Sequence, residues 1–198
     1  MIDFLIKQWD YSLLLLDVLV ICDHYLTSVG AKLYHQYGMQ FLTFQNGYEL
    51  NPRFEKEVAQ FRWFTKKLVF SLAMLDIFML AARFYPGPAL FEFLFGGAFL
   101  LWIIIDLRHL QNILAFRDFR QPNKVSGHIE YSYWFSQRSN ANNLLNQAIL
   151  LLIVAVASQR LFFWGGVFLC VVMAIRGYRL SKRVFPQQAD ATKATDEA

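Results

Sequence analysis

The sequence predicts an all-α fold: a polytopic membrane helical bundle of about five transmembrane helices, with the N-terminus outside and the C-terminus inside. Three observations predict it. Apolar residues make up 56% of the 198-residue chain and charged residues 17%, which is less charge than a soluble domain carries. The apolar residues are blocked into separate runs of about the 20 residues that a helix needs to cross hydrocarbon. Lys and Arg then cluster in alternate connections between those runs, the pattern that orients a chain in a bilayer.

Five spans follow in order. The first, 11–28, lies in "LLLLDVLVICDHYLTSVG". The second, 67–84, reads "KLVFSLAMLDIFMLAARF", and the third, 89–107, reads "ALFEFLFGGAFLLWIIIDL". The fourth, 141–158, and the fifth, 162–178, are separated only around Gln159 and Arg160. A single helix over 143–178 would be about 54 Å long, against a hydrocarbon core of about 30 Å. A tight hairpin near 159–166 is therefore expected, with Gly165 and Gly166 available for the turn or for close packing. Residues 1–185 form one membrane domain, and the polar, small-residue stretch 186–198 reads as a disordered cytoplasmic tail. The N-terminal "MIDFLIKQWDYS" has no basic n-region and no small-residue cleavage site, so it does not read as a signal peptide. Cys22 and Cys170 both sit inside apolar runs, where they pack as small apolar groups.

Basic residues set the orientation. Segment 31–67 holds six, segment 107–142 holds five, and the tail from Arg176 holds five, leaving only Lys7, Arg83 and Arg160 of the nineteen. The connections 31–66 and 108–140 and the tail are thus expected in the cytoplasm. Because the net charge of +4 follows these boundaries, nucleic acid is not an expected partner. The bilayer itself and anionic lipid head groups are.

The first connection contains "NGYELNPRFEKEVAQFRWFTKK". Asn51 followed by Pro52 is a helix start, with Asn as cap and Pro at the first helical position. Phe54, Val58, Phe61 and Phe64 then recur at helical spacing, so an amphipathic helix is expected at the inner surface. Asp23-x3-Thr27 near the end of span one, followed by Gly47-x-Glu49-x-Asn51-Pro52, resembles a pattern in small prokaryotic integral membrane proteins of uncharacterised function. The resemblance covers the first third of the chain and departs from the pattern in the insertion 31–46. It implies no known reaction. It implies the cytoplasmic membrane of a prokaryote, and it points to Asp23, Thr27, Glu49 and Asn51 as a set that meets in space.

Polar residues inside spans mark candidate sites, because ionisable groups there are costly and commonly functional. On a 3.6-residue helix Asp17, His24 and Ser28 share an arc, with Thr27 beside them. Asp76 lies near the centre of span two, seven residues from Arg83, so a structural pair between those two is the alternative to a functional acid. Glu92 near the outer edge reads as a structural partner or a group reaching for water. Asp106 and His109 share a face at the foot of span three, and His128 and Glu130 follow a turn at Pro122, Asn123 and Gly127. The expected arrangement is one water-accessible pocket at the cytoplasmic face: Asp23, His24, Thr27, Glu49, Asn51, Asp106 and His109, closed by His128 and Glu130, with Asp17 continuing the polar face inward. Asn140, Asn142, Asn143 and Asn146 read as caps and interface hydrogen-bond groups of span four.

Three function classes fit. The preferred one is a non-enzymatic subunit or assembly factor that packs with itself or another protein as a homo- or hetero-oligomer. The second is a small proton- or cation-coupled carrier using Asp17, His24 and Asp76. The third is a metal-dependent membrane enzyme at the cytoplasmic lipid interface, with Glu49, Asp106, His109, His128 and Glu130 as metal ligands or acid–base groups and His24, His109, His128 and Glu130 as the candidate ligands of a divalent ion. No compact His or Cys ligand motif, nucleophile elbow or phosphate-binding loop is present, and no catalytic residue is assigned.

Overall fold

The computed structural model describes residues 2–44, 65–85, 87–121 and 126–196, with side chains to position 182. In chain order the elements are α1 (Ile2–Lys7), α2 (Trp9–Leu33) with a π-helical turn (Tyr34–Gly38), β1 (Leu42–Phe44), α3 (Lys66–Phe84), α4 (Pro88–Asp118), β2 (Ile129–Tyr131), α5 (Tyr133–Ser158) and α6 (Leu161–Asp196). Among the described residues four helices are long and apolar enough to cross a bilayer: Trp9–Gly38, Pro88–Asp118, Tyr133–Ser158 and Leu161–Lys182. This is the architecture of a multi-pass integral membrane protein. Its outer surface agrees, since Leu14, Phe70, Ile77, Leu150, Ile153 and Phe168 are each at least half exposed, far more apolar surface than a soluble monomer tolerates.

Local chemistry explains where the helices start and stop. Thr65 Oγ1 accepts from Leu68 N at 3.1 Å and caps α3. Gly87, at φ 131°, turns the chain into Pro88 at the first position of α4. Ser132 Oγ accepts from Phe135 N at 3.2 Å, so α5 begins two turns before the asparagines. Those asparagines are therefore interior helix residues, not caps. The α5–α6 hairpin turns at Gln159, left-handed at φ 53°, whose N–H bonds Ala155 O. Gly165 and Gly166 lie inside α6 and serve close packing instead. The helices also outrun the hydrophobic spans: α4 continues from 107 to Asp118, and the α6 backbone stays helical to Asp196, past the point where the sequence suggests a tail. Ala, Lys and Gln there are good helix formers once a helix precedes them.

Contacts fix the directions of the helices. His109 of α4 meets Asp23 and Thr27 of α2, and Phe116 meets Tyr34 farther along, so α2 and α4 run parallel. Trp9 packs on Phe84, and Asp17 lies near Asp76, so α3 runs antiparallel to α2. Gly97 lies against Gly165 and Leu100 against Gly166, making α4 and α6 parallel. Ala141 faces Gly177 and Leu151 faces Gly166, making α5 and α6 antiparallel. The C-termini of α2, α4 and α6 and the N-termini of α3 and α5 thus gather at one end. Lys32, Lys66, Lys67, Arg108, Arg117, Arg120, Arg138, Arg179 and Lys182 lie there, while Lys7, Arg83 and Arg160 lie toward the other.

The core divides in the same way. Near the less basic end, Leu13, Leu16, Met79, Phe91, Phe95, Ala98 and Phe162 form one cluster, with Ile2, Leu5 and Trp9 folded onto it. Near the basic end, Leu101, Ala141, Leu144, Ala148, Cys170 and Ala174 form a second cluster between α4, α5 and α6. Among the described residues the fold is all-α except for one element that the sequence does not predict. β1 and β2 pair in parallel, Leu42 to Ile129, Thr43 to Glu130 and Phe44 to Tyr131, and tie the two connections together at the basic end. Phe44 stacks on Tyr131 at 5.4 Å and meets Tyr34 in a tilted contact at 5.2 Å.

Candidate functional site

The polar residues of α2 and α4 converge where the two helices run side by side near the basic end. Asp23 and Thr27 are four residues apart on α2, so they stand one turn above each other on one face. Asp106 and His109 are three apart on α4 and face them. His109 Nε2 lies 3.2 Å from Thr27 Oγ1 and 3.2 Å from Asp23 Oδ1. The Asp23 contact is an ionic approach rather than an aligned hydrogen bond, since Oδ1 has no hydrogen-bond partner among the described residues. Asp106 lies within electrostatic reach of both Asp23 and His109. Thr27 is buried, and the His109 side chain is 13% exposed.

This geometry assigns the histidine nitrogens. A carboxylate only accepts, so its place beside Nε2 favours the tautomer with the proton on Nε2. His109 Nδ1 has no hydrogen-bond partner among the described residues, and neither does Asp106 Oδ1. The arrangement joins the two helices through one imidazole nitrogen that approaches both Asp23 and Thr27.

Similar links continue around the basic end. On the other side of α4, Arg108 donates to Asn140 of α5. Asn142 of α5 accepts from Tyr178 of α6. Three successive helix pairs are thus joined by polar side chains near the basic end. The sequence marks Asn140 and Asn142 as interface hydrogen-bond groups but not Arg108 and Tyr178 as their partners, because residues more than thirty positions apart carry no shared spacing. A surface cavity of about 620 Å³ lies at the C-terminal end of α4, lined by Leu114, Arg117, Asp118, Arg120 and Gln121. Arg120 also sits 5.3 Å above the Tyr37 ring.

The other sequence candidates are placed as follows. His24 is buried on the packed stripe of α2 that also holds Leu16, Val20, Thr27 and Ala31. Asp17 lies near Asp76, and each has an oxygen without a hydrogen-bond partner among the described residues. The neighbour of Asp76 is thus Asp17 rather than Arg83, whose Nε is also without a hydrogen-bond partner. Seven residues along a helix separate Asp76 and Arg83 by about 10 Å, which explains why sharing a face does not make a pair. Glu92 Oε1 likewise has no hydrogen-bond partner among the described residues. His128 and Glu130 have different neighbours from those expected. His128 Nε2 is 3.1 Å from Thr43 Oγ1 and its Nδ1 is 3.3 Å from Gln40 O, while Glu130 stands opposite Thr43 in the β1–β2 ladder. Glu49, Asn51 and the amphipathic helix that Asn51 would start lie outside the described residues.

Among the described residues no three His, Cys, Asp or Glu side chains are close enough to hold a metal ion. His24, His109, His128 and Glu130 are therefore not gathered into one ligand set. No protein-family model, curated protein or solved structure matches the chain.

Proposed function

We propose that the chain is a five-span integral membrane protein, basic end in the cytoplasm, that works as a non-enzymatic subunit or assembly factor. Its working part is the clasp of Asp23, Thr27, Asp106 and His109. The observation that carries this reading is the bridge from His109 to both Asp23 and Thr27, at the end where the basic residues gather. A polar link that joins two spans suits a part that holds the helices in one fixed register. Helix α3 is the fifth crossing. At 19 residues it measures about 28 Å, it runs antiparallel between α2 and α4, and it turns Phe70, Met74, Ile77 and Phe78 outward. Lys66, Lys67, Asp76 and Arg83 are its charged residues. Arg117 and Arg120 beside the α4 cavity suit anionic lipid head groups.

Orientation is tested by single cysteines in a chain with Cys22 and Cys170 replaced. A cysteine at Lys124 should resist an impermeant thiol reagent applied from outside intact cells, whereas one at Arg160 should react. The reverse labelling would overturn the topology. The subunit reading expects a stoichiometric partner to co-purify from detergent-solubilised membranes and to be lost with His109→Ala. A second reading, a proton- or cation-coupled carrier, is favoured by the half-buried acids Asp17 and Asp76, which lie near each other. It expects pH-dependent flux in proteoliposomes that Asp76→Asn abolishes, and flux without any partner would replace the first reading.

A further inference from the structure

Helix α5 lies at the edge of the bundle. Its buried residues Ala141, Leu144, Ala148 and Ala155 form one stripe against α6. On a 3.6-residue helix the opposite face is Ser139, Asn143, Asn146, Leu150, Ile153 and Ala157. Leu150 is 57% and Ile153 64% exposed, and both asparagines are exposed as well. Of the four asparagines on this helix, Asn140 bonds Arg108 and Asn142 bonds Tyr178. Asn143 and Asn146 make no hydrogen bond among the described residues.

Their depth makes this matter. Asn146 lies twelve residues before Ser158, the C-terminal residue of α5, so it sits about 18 Å from that end, within a hydrocarbon core of about 30 Å. An amide side chain facing lipid has no partner for its two donors and its acceptor, and such groups drive helix association. We propose that this face of α5 is the interface of a parallel homodimer, in which Asn143 and Asn146 hydrogen-bond to the same residues of a second copy.

Three features select a second copy over another protein. The positions 139, 143, 146, 150, 153 and 157 alternate steps of four and three, the seam that two parallel helices need to pack along their length. A polar Asn within such a seam fixes register and parallel pairing. Finally, every copy crosses the membrane in the same direction. A two-fold axis along the membrane normal therefore brings Asn146 to Asn146 at equal depth, and an amide is both donor and acceptor, hence complementary to itself. A different protein would have to supply its own polar residue at that depth. The inference depends on α5 crossing the membrane and not on the α2–α4 clasp.

The test uses the full chain with Cys22 and Cys170 replaced, in native membranes and then in detergent. Single cysteines at positions 143, 146, 150 and 153 should form disulfide-linked dimers under mild oxidation, while cysteines at Leu145 and Leu152, on another exposed face of α5, should not. In sedimentation measurements Asn146→Leu should raise the dimer dissociation constant by roughly 3- to 30-fold. Asn143→Leu/Asn146→Leu should weaken it further, with an unchanged thermal midpoint of the monomer. A monomeric wild-type chain, equal crosslinking at all exposed positions, or crosslinks from position 146 only to a different protein would each overturn the proposal.

Discussion

Helix α4 has two seams of opposite character. Toward α6 it presents Gly96 and Gly97, and α6 answers with Phe162, Gly165 and Gly166. A Cβ on Gly97 would stand 2.8 Å from Gly165 O, one on Gly166 2.6 Å from a Leu100 methyl, and one on Gly165 would collide with the backbone oxygen of Phe93. Toward α2, near the basic end, the contact is made by His109, Asp23 and Thr27. Hydrocarbon removes the hydrophobic drive between helices, so spans associate either through close van der Waals approach of small residues or through polar links. This helix uses one method on each side. The glycine seam is chemically inert and admits no added atom. The polar seam has side chains to spare but depends on each partner being present.

The largest expected effect breaks the glycine seam. Gly165→Val should destabilise the bundle by at least about 3 kcal/mol, because the collision is with backbone rather than with a flexible side chain. Thermal denaturation in detergent reads it, and an unchanged midpoint would mean that α4 and α6 do not approach as described. The polar seam should respond less. His109→Ala and Thr27→Val each remove one end of a link worth about 0.6–1.7 kcal/mol between membrane helices. In a double-mutant cycle the two changes should be coupled by a similar amount, about 0.5–1.5 kcal/mol. Strict additivity would show that the link contributes nothing.

The smallest effect lies outside both seams. Arg160, at the α5–α6 turn, donates to Asp3 of α1, and this hydrogen bond together with the guanidinium charge holds the Asp3 carboxyl below its ordinary value of 3.8. A depressed carboxyl pKa contributes stability that is present above the unfolded value and lost as pH falls through the folded one. Stability should therefore decline slightly below about pH 4, and Asp3→Asn should flatten that decline. Both groups are exposed, so solvent screens the pair. A pH profile identical in the variant would remove the contact from consideration.

Much of this organisation is legible in the sequence. Run length and composition give the helices, because a backbone in hydrocarbon must satisfy its hydrogen bonds within the segment. Basic residues in alternate connections gather at one end because successive spans cross in alternate directions. Helical spacing also puts Asp23 beside Thr27 and Asp106 beside His109, because i to i+3 and i+4 neighbours are fixed by helix geometry alone. What spacing cannot give is the rotation of one helix about its axis against another, since that depends on which side chains fit. Tertiary packing therefore decided that Asp23 and Thr27 meet His109 and that Asp76 lies near Asp17 rather than pairing with Arg83. It also decided that His128 turns to Thr43 in a two-stranded parallel sheet. That sheet is three residues per strand with a partner 87 positions away, too short for any periodic signal. The glycines show the division most plainly. Their presence in two pairs is written in the chain, but their purpose appears only when Gly97 and Gly165 are brought together, because only contact between two backbones makes the absence of a side chain necessary.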